Sequence, residues 1–244
     1  MGSPRLKVNL AWLFIVLVTV IVFSILVKLG FWQLERAQYK SQWQQQLSER
    51  QAASVLNYSQ ILNFPKEEAL TGFKLKTPAT PVSNNIFLLD NQVYEGRVGY
   101  LALQVVQVSE QEPWLLVELG FIPAGLNRSQ LPNVKPISQP IVLEGRVYQK
   151  QINPMSSELM AENAWPKRIQ NLNIPQLAQL IDKPLASVVL QPSNLDNPYP
   201  HPWQPIPLSS QKHQGYAVQW FSMAAVFAFL MGYLLFRKLK QSDK

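Results

Sequence analysis

Two apolar stretches constrain this chain more than any other feature. One runs from Leu10 to Val27 without a charge, and the second from Ala217 to Phe236. Each supplies about the 20 apolar residues that cross a roughly 30 Å hydrocarbon core. The 185 residues between them, 31 to 215, have the composition of a folded soluble domain. Two spans put both chain ends on one side of a membrane and the whole domain on the other. The expected division is therefore an N-terminal stub (1–9), a transmembrane helix (10–29), an α+β domain (30–215), a second transmembrane helix (216–236) and a tail (237–244).

Charge orients the layout. Of 22 Lys and Arg, seven lie outside 31–215: Arg5, Lys7, Lys28, Arg237, Lys238, Lys240 and Lys244. Of 15 Asp and Glu, only Asp243 does. The basic balance thus belongs to the flanks and the domain is nearly neutral, which argues against nucleic acid as a partner. By the positive-inside rule both ends are expected in the cytoplasm, with the second span doing most of the orienting. The domain is then extracytoplasmic, periplasmic for a bacterial inner (cytoplasmic) membrane or facing the intermembrane space in a mitochondrion. The first apolar run exceeds the 7–15 residues of a signal-peptide core, and Lys28-Leu29-Gly30-Phe31-Trp32 offers no small-x-small cleavage site, so an uncleaved anchor is expected. The chain has no cysteine. That excludes a disulfide framework, a Cys-x-x-Cys redox or copper site and covalent haem attachment.

Within the domain the pattern changes from helix to strand. No Pro or Gly interrupts Phe31 to Ala53, so the first helix is expected to continue several turns past the apolar run. Trp32, Arg36, Tyr39/Lys40 and Trp43 recur at helical spacing on one face, and a Trp32–Arg36 cation–π contact is sterically open to that face. Asn57 to Asn63 reads as a short helix. Ile86–Leu89, Val98–Val108, Trp114–Ile122, Ile141–Tyr148 and Ala186–Leu190 read as strands, with turns at Asp90-Asn91 and Glu95-Gly96-Arg97. Asn173 caps a helix through Asp182, with Pro175 in its first turn. Pro123 to Pro140 is a loop of unusual length, of the kind that is functional or mobile. Asn197 to Pro207 should be an extended polyproline strut. The fold class that emerges is a membrane α+β protein: two transmembrane helices flanking a mainly antiparallel β domain with short helices.

Catalytic chemistry finds no foothold. The chain has two histidines, His201 and His213, too few for a multi-His metal site. It contains no nucleophile elbow, phosphate-binding loop or dinucleotide fingerprint. The expectation is a chain without enzymatic activity. His213 shares a helix face with Ala217, Trp220/Phe221 and Ala224, and Ala224, Ala228 and Gly232 form a small-xxx-small stripe suited to close helix packing. Two accounts fit this segment. One is an interfacial histidine, an aromatic belt and a seam against the first span. The other is a haem or partner site, since an imidazole can ligate haem iron and aromatic rings can flank the macrocycle.

Four pieces of sequence, in order, give a resemblance. Gly30-Phe31-Trp32-Gln33-Leu34-Glu35-Arg36 ends the first span. Leu89-Asp90-Asn91 is followed by Gly96-Arg97-Val98-Gly99-Tyr100. Glu118-Leu119-Gly120-Phe121-Ile122-Pro123 comes third, and His213-x-x-Tyr216-Ala217-x-x-Trp220-Phe221 enters the second span. With the two-anchor layout, these are similar to the Surfeit-locus protein 1 family of cytochrome c oxidase assembly factors. Gln92, Leu119, Phe121 and Gln211 depart from the family's usual Arg, Arg, Trp and Asn, so the chain resembles a divergent member. The resemblance implies a non-catalytic chaperone of the respiratory chain that aids maturation of the haem-copper oxidase core subunit by holding and delivering haem a. It implies His213 as axial ligand to the haem iron, with Trp32, Arg36, Tyr216 and Trp220 around it. It implies the core subunit docked on Ala224, Ala228 and Gly232, and the haem a synthesis enzyme as a candidate further partner. Two other classes share parts of the pattern. A two-span periplasmic polysaccharide chain-length regulator has the same layout but a long-helical domain, and a membrane-anchored hydrolase would need a nucleophile–base set that is not visible.

Overall fold

The computed structural model describes residues 10–65, 68–150, 156–202 and 210–242. Arg5 and Lys7, the end of the tail, and Trp203 to Pro207 of the expected polyproline strut lie outside the described residues. The chain forms two compact units. One holds the residues up to Gln45 and those from Ser210 onward, the other Gln46 to Pro202.

The first unit is a pair of long helices. Helix α1 (Leu10–Ala52) and helix α4 (Ser210–Ser242) are both long and apolar enough to cross a membrane. At 1.5 Å per residue α1 is about 65 Å long, so its polar half extends well past a 30 Å core. Burial on α1 falls at Gly30, Ala37 and Lys40, with Gln33 half-buried. On α4 it falls at Ser210, Ala217 and Ala224, with His213, Trp220 and Phe221 half-buried. These positions repeat every three or four residues, the spacing that keeps one seam of each helix facing the other. Gly30 of α1 packs directly against α4. A Cβ there would sit 2.6 Å from the Phe221 ring, and Phe31 meets the same ring edge-on at 5.3 Å.

The second unit is a sheet that closes on itself. Its elements are α2 (Tyr58–Leu62), β1 (Lys74–Tyr94), β2 (Arg97–Gln107), β3 (Trp114–Pro123), β4 (Ile141–Tyr148), β5 (Lys167–Ile169), α3 (Ile174–Ile181) and β6 (Leu185–Pro192). The early part of β1 pairs with β4 (Lys74↔Arg146 to Ala79↔Ile141) and the later part with β2 (Thr80↔Gln107 to Tyr94↔Arg97). Because β2 pairs with β3, β3 with β6 and β6 with β4, the five strands form a barrel-like ring, and β5 adds to β1 outside it. The sheet is mixed. The pairs β3–β6 and β1–β5 are parallel, and the other four are antiparallel.

Strand β2 shows why such a sheet needs cover on both faces. Tyr100, Ala102 and Val106 enter one apolar cluster, and Leu101, Leu103 and Val105 enter the other, as the two-residue period of a strand requires. Helix α2 contributes Tyr58 and Ile61 to the first cluster. Helix α3 contributes Leu177 to the second.

Several expectations change. Asp90-Asn91 is not a turn. It lies inside β1 at a register shift, with Asn91 at φ 56°, and the hairpin turns at Glu95-Gly96. The strand expected at Ile86 begins at Lys74, and the last strand extends to Pro192. The long loop after β3 is tied down rather than free. Val134 and Ile137 are buried, Gln104 exchanges two hydrogen bonds with the Ile137 backbone, and Arg128 pairs with the buried carboxylate of Asp90. Asn197–Pro202, the described part of the expected strut, is tied to β3. The Phe121 N–H donates to the Pro200 carbonyl at 2.7 Å, and Asn197 Nδ2 donates to the Leu119 carbonyl at 2.7 Å.

Candidate functional site

The first and fourth sequence pieces meet across the helix pair. His213 Nδ1 lies 2.9 Å from Gln33 Oε1. With an amide oxygen as acceptor, Nδ1 carries the proton, and the lone pair falls on Nε2. This is the arrangement by which an outer partner fixes the tautomer and direction of a ligating imidazole. Gly30, one turn before Gln33, packs against Phe221, two turns after His213, and holds the close helix spacing that the hydrogen bond needs.

The remaining expected residues are placed unevenly. Trp32 is 54% and Tyr216 48% exposed, while Trp220 is half-buried beside the seam. Arg36 does not stack on Trp32. Its guanidinium lies over the Tyr39 ring, 5.4 Å from the centroid, because Tyr39 is the aromatic one turn ahead on the same exposed face. Ala224 is buried, and Ala228 and Gly232 line an apolar cleft of about 290 Å³ together with Val16, Thr19 and Phe23 of α1. Ala228 and Gly232 are exposed, and a Cβ at Gly232 would meet open space, so the stripe runs from the seam at Ala224 onto an open face.

A second cluster, in the sheet unit, was not visible in the sequence. Glu118 has no exposed surface. Tyr148 donates its hydroxyl to Oε2 at 2.6 Å, Gln191 Nε2 donates to Oε1 at 2.8 Å, and His201 Nδ1 lies 2.8 Å from Oε1. Arg146 Nε donates to Gln191 Oε1 at 2.5 Å. Burial, and then the Glu118 charge, hold the Tyr148 hydroxyl well above the usual tyrosine pKa. Burial lowers Lys150, against the opposing pull of Glu118. His201, Arg146 and Gln191 line a cleft of about 840 Å³. The third sequence piece explains the docking. Leu119 sits at a register shift between β2 and β3, and Gly120, at φ 124°, lets Tyr199 and Pro200 lie against its backbone. A Cβ at Gly120 would stand 2.6 Å from that of Tyr199.

Among the described residues no group of three or more His, Cys, Asp or Glu could hold a metal ion. A haem needs less, since one imidazole can serve as axial ligand. The Nδ1-anchored ring of His213 has the donor chemistry for that role.

Two apolar helices bracketing a closed, strand-rich unit define a class of tethered domain, compatible with membrane anchoring at both ends. The chain belongs to the SURF1 family, whose profile matches residues 20–225, and the members of that family are known as cytochrome c oxidase assembly factors. No curated protein matches the chain. Neither the chain-length regulator nor the hydrolase gains support, and the strand-rich domain is unlike the long-helical domain of the former.

Proposed function

We propose that this protein is a non-catalytic assembly factor, anchored in the inner membrane by α1 and α4, that holds haem a through His213 and passes it to the oxidase core subunit. Both ends then lie in the cytoplasm and the sheet unit in the periplasm, the orientation favoured by the basic residues at the flanks. The observation that carries the reading is the His213–Gln33 hydrogen bond, which joins the helices and leaves Nε2 as a directed donor. Gln33 fixes the ring, Gly30 sets the helix spacing, and Trp32, Tyr216 and Trp220 offer apolar surface for a macrocycle. When bound, haem a would supply an iron for the His213 imidazole to hold. The chain's own side chains hold and orient it.

The test is a visible spectrum of the detergent-purified protein, co-expressed with haem a synthesis, beside His213→Ala. A haem a Soret band that disappears in the variant supports the reading. A colourless wild type, with haem a being made, would leave a scaffold that holds the oxidase subunit without touching its cofactor.

A further inference from the structure

The α1–α4 seam is tight at one end and open at the other. Gly30, Ala217 and Ala224 are buried in it. Past Ala224 the contact loosens. Ala228 and Gly232 are exposed, and a Cβ at Gly232 would meet nothing within 4 Å. The opening is a cleft of about 290 Å³ between Trp12, Val16, Thr19 and Phe23 of α1 and Ala228 and Gly232 of α4. That is roughly twice the 150 Å³ of an apolar cavity that takes up benzene. Thr19 Oγ1 donates to the Ile15 carbonyl at 2.8 Å, so its hydroxyl is satisfied within α1 and calls for no polar ligand. The chemistry that suits such a cleft is hydrocarbon.

Length and charge say which hydrocarbon. Trp12 to Phe23 spans eleven residues, about 16 Å of helix. One leaflet of a hydrocarbon core about 30 Å thick has nearly the same depth. At its Trp12 end the cleft meets the basic end of α4. Lys238 Nζ lies over the Trp12 ring, 3.2 Å from the centroid, which holds the ammonium at the mouth of the cleft. Arg237 and Lys240, in the same turn, are exposed. No Asp or Glu occurs from 10 to 34 or from 217 to 242, so no acidic side chain of either span offsets these charges. A partner helix would fill the cleft without using the charge. An acyl chain that ends in an anionic headgroup uses both.

We propose that the cleft binds one anionic phospholipid, with an acyl chain between α1 and α4 and its phosphate at Lys238. The proposal rests on the reading of α1 and α4 as membrane anchors. It gives the helix pair a role beyond tethering, because the lipid completes the half of the seam that the two helices leave open.

The experiment uses the full chain in a mild detergent. Native mass spectrometry counts bound lipid during titration with palmitoyl-oleoyl phosphatidylglycerol and, separately, with the phosphatidylcholine of the same chains. Wild type should saturate at one phosphatidylglycerol per chain and bind it about fivefold more tightly than phosphatidylcholine. Lys238→Gln should bring phosphatidylglycerol down to the phosphatidylcholine level, and Lys238→Arg should restore the preference. Gly232→Leu fills the cleft with every charge kept. It should weaken both lipids about tenfold, the loss of roughly two buried methylenes. Ala228→Leu, on the same wall, is a second filling variant and should act alike. Unchanged phosphatidylglycerol affinity in both filling variants would overturn the proposal, because the basic end would then attract headgroups without the cleft. So would uptake that never saturates, or equal affinity of wild type for the two lipids. Alkaline carbonate extraction tests the anchors separately. A chain released by carbonate removes the membrane reading and this site with it. A chain retained in the membrane, but without saturable phosphatidylglycerol binding, keeps the anchors and removes the site.

Discussion

His201 Nδ1 lies 2.8 Å from Oε1 of Glu118, so a carboxylate with no exposed surface is tied to a histidine 83 residues further along the chain. The contact does mechanical work. The segment from Asn197 to His201 crosses β3 at its register shift, and the Glu118 pair is one of three polar ties that hold it there. Removing one donor from a buried charged acceptor costs about 1–3 kcal/mol. His201→Ala should therefore lower unfolding free energy by about that amount. Glu118→Ala should cost more, because it strands the donors of Tyr148, Gln191 and His201 together. Thermal unfolding of the detergent-solubilised chain gives both values. A His201→Ala midpoint equal to wild type would mean that the segment is held without this contact.

Burial, joined at Tyr148 by the same carboxylate, produces an alkaline limit. Tyr148 is buried beside Glu118 and its pKa is raised well above the ordinary tyrosine value of about 10. Tyr58, whose hydroxyl donates to the Pro113 carbonyl at 2.7 Å, is raised in the same direction, mainly by burial. For an acid with a raised folded pKa the unfolded chain loses its proton first. The stabilising contribution is then complete below about pH 10 and is lost as pH rises above it. Lys150 acts with the opposite sign. Its lowered pKa means that folding gains as pH rises toward the ordinary lysine value. Comparing wild type with Tyr148→Phe isolates the tyrosine. The variant should be less stable at neutral pH, because Glu118 loses a donor. Above pH 10 its stability should fall less steeply, by about 1.4 kcal/mol per pH unit. Parallel curves for the two proteins through that range would contradict this assignment.

Local features of the fold were legible where a residue acts on its own neighbourhood. Asn57 caps α2, with Gln60 closing the capping box, and Asn173 caps α3. The Glu95-Gly96 turn follows from two residues at positive φ. Strand β1 was read short because Pro78 and Pro81 break the alternation of its first half, although Pro78 still pairs with Val142 at register. Asp90-Asn91 has the composition of a turn, but the side chains serve a kink within the strand. The Asp90 carboxylate accepts from the Asn91 N–H at 2.6 Å. Closure of the ring and the parallel β3–β6 pair depend on strands far apart in sequence, which leave no local pattern. The site divides in the same way. The helix face shared by His213, Ala217, Trp220/Phe221 and Ala224 was readable from spacing. The His213 partner Gln33 could be found only once α1 and α4 were seen to be antiparallel.

Gln33 offers the sharpest separation between a structural and a ligand-orienting role. If its amide oxygen fixes the His213 tautomer, Gln33→Leu keeps a side chain of similar size in the seam but removes the acceptor. The imidazole can then rotate or move its proton to Nε2, where it would block ligation. Loss of such an outer partner typically lowers metal affinity 10–100-fold. Haemin affinity of the full chain should fall by that factor in Gln33→Leu, with the unfolding midpoint at or above that of wild type, because an apolar seam residue favours helix pairing. Gln33→Glu should retain affinity, since a carboxylate accepts the same Nδ1 proton and makes the ring a better donor. Unchanged haemin affinity in Gln33→Leu would show that the hydrogen bond only joins the two helices.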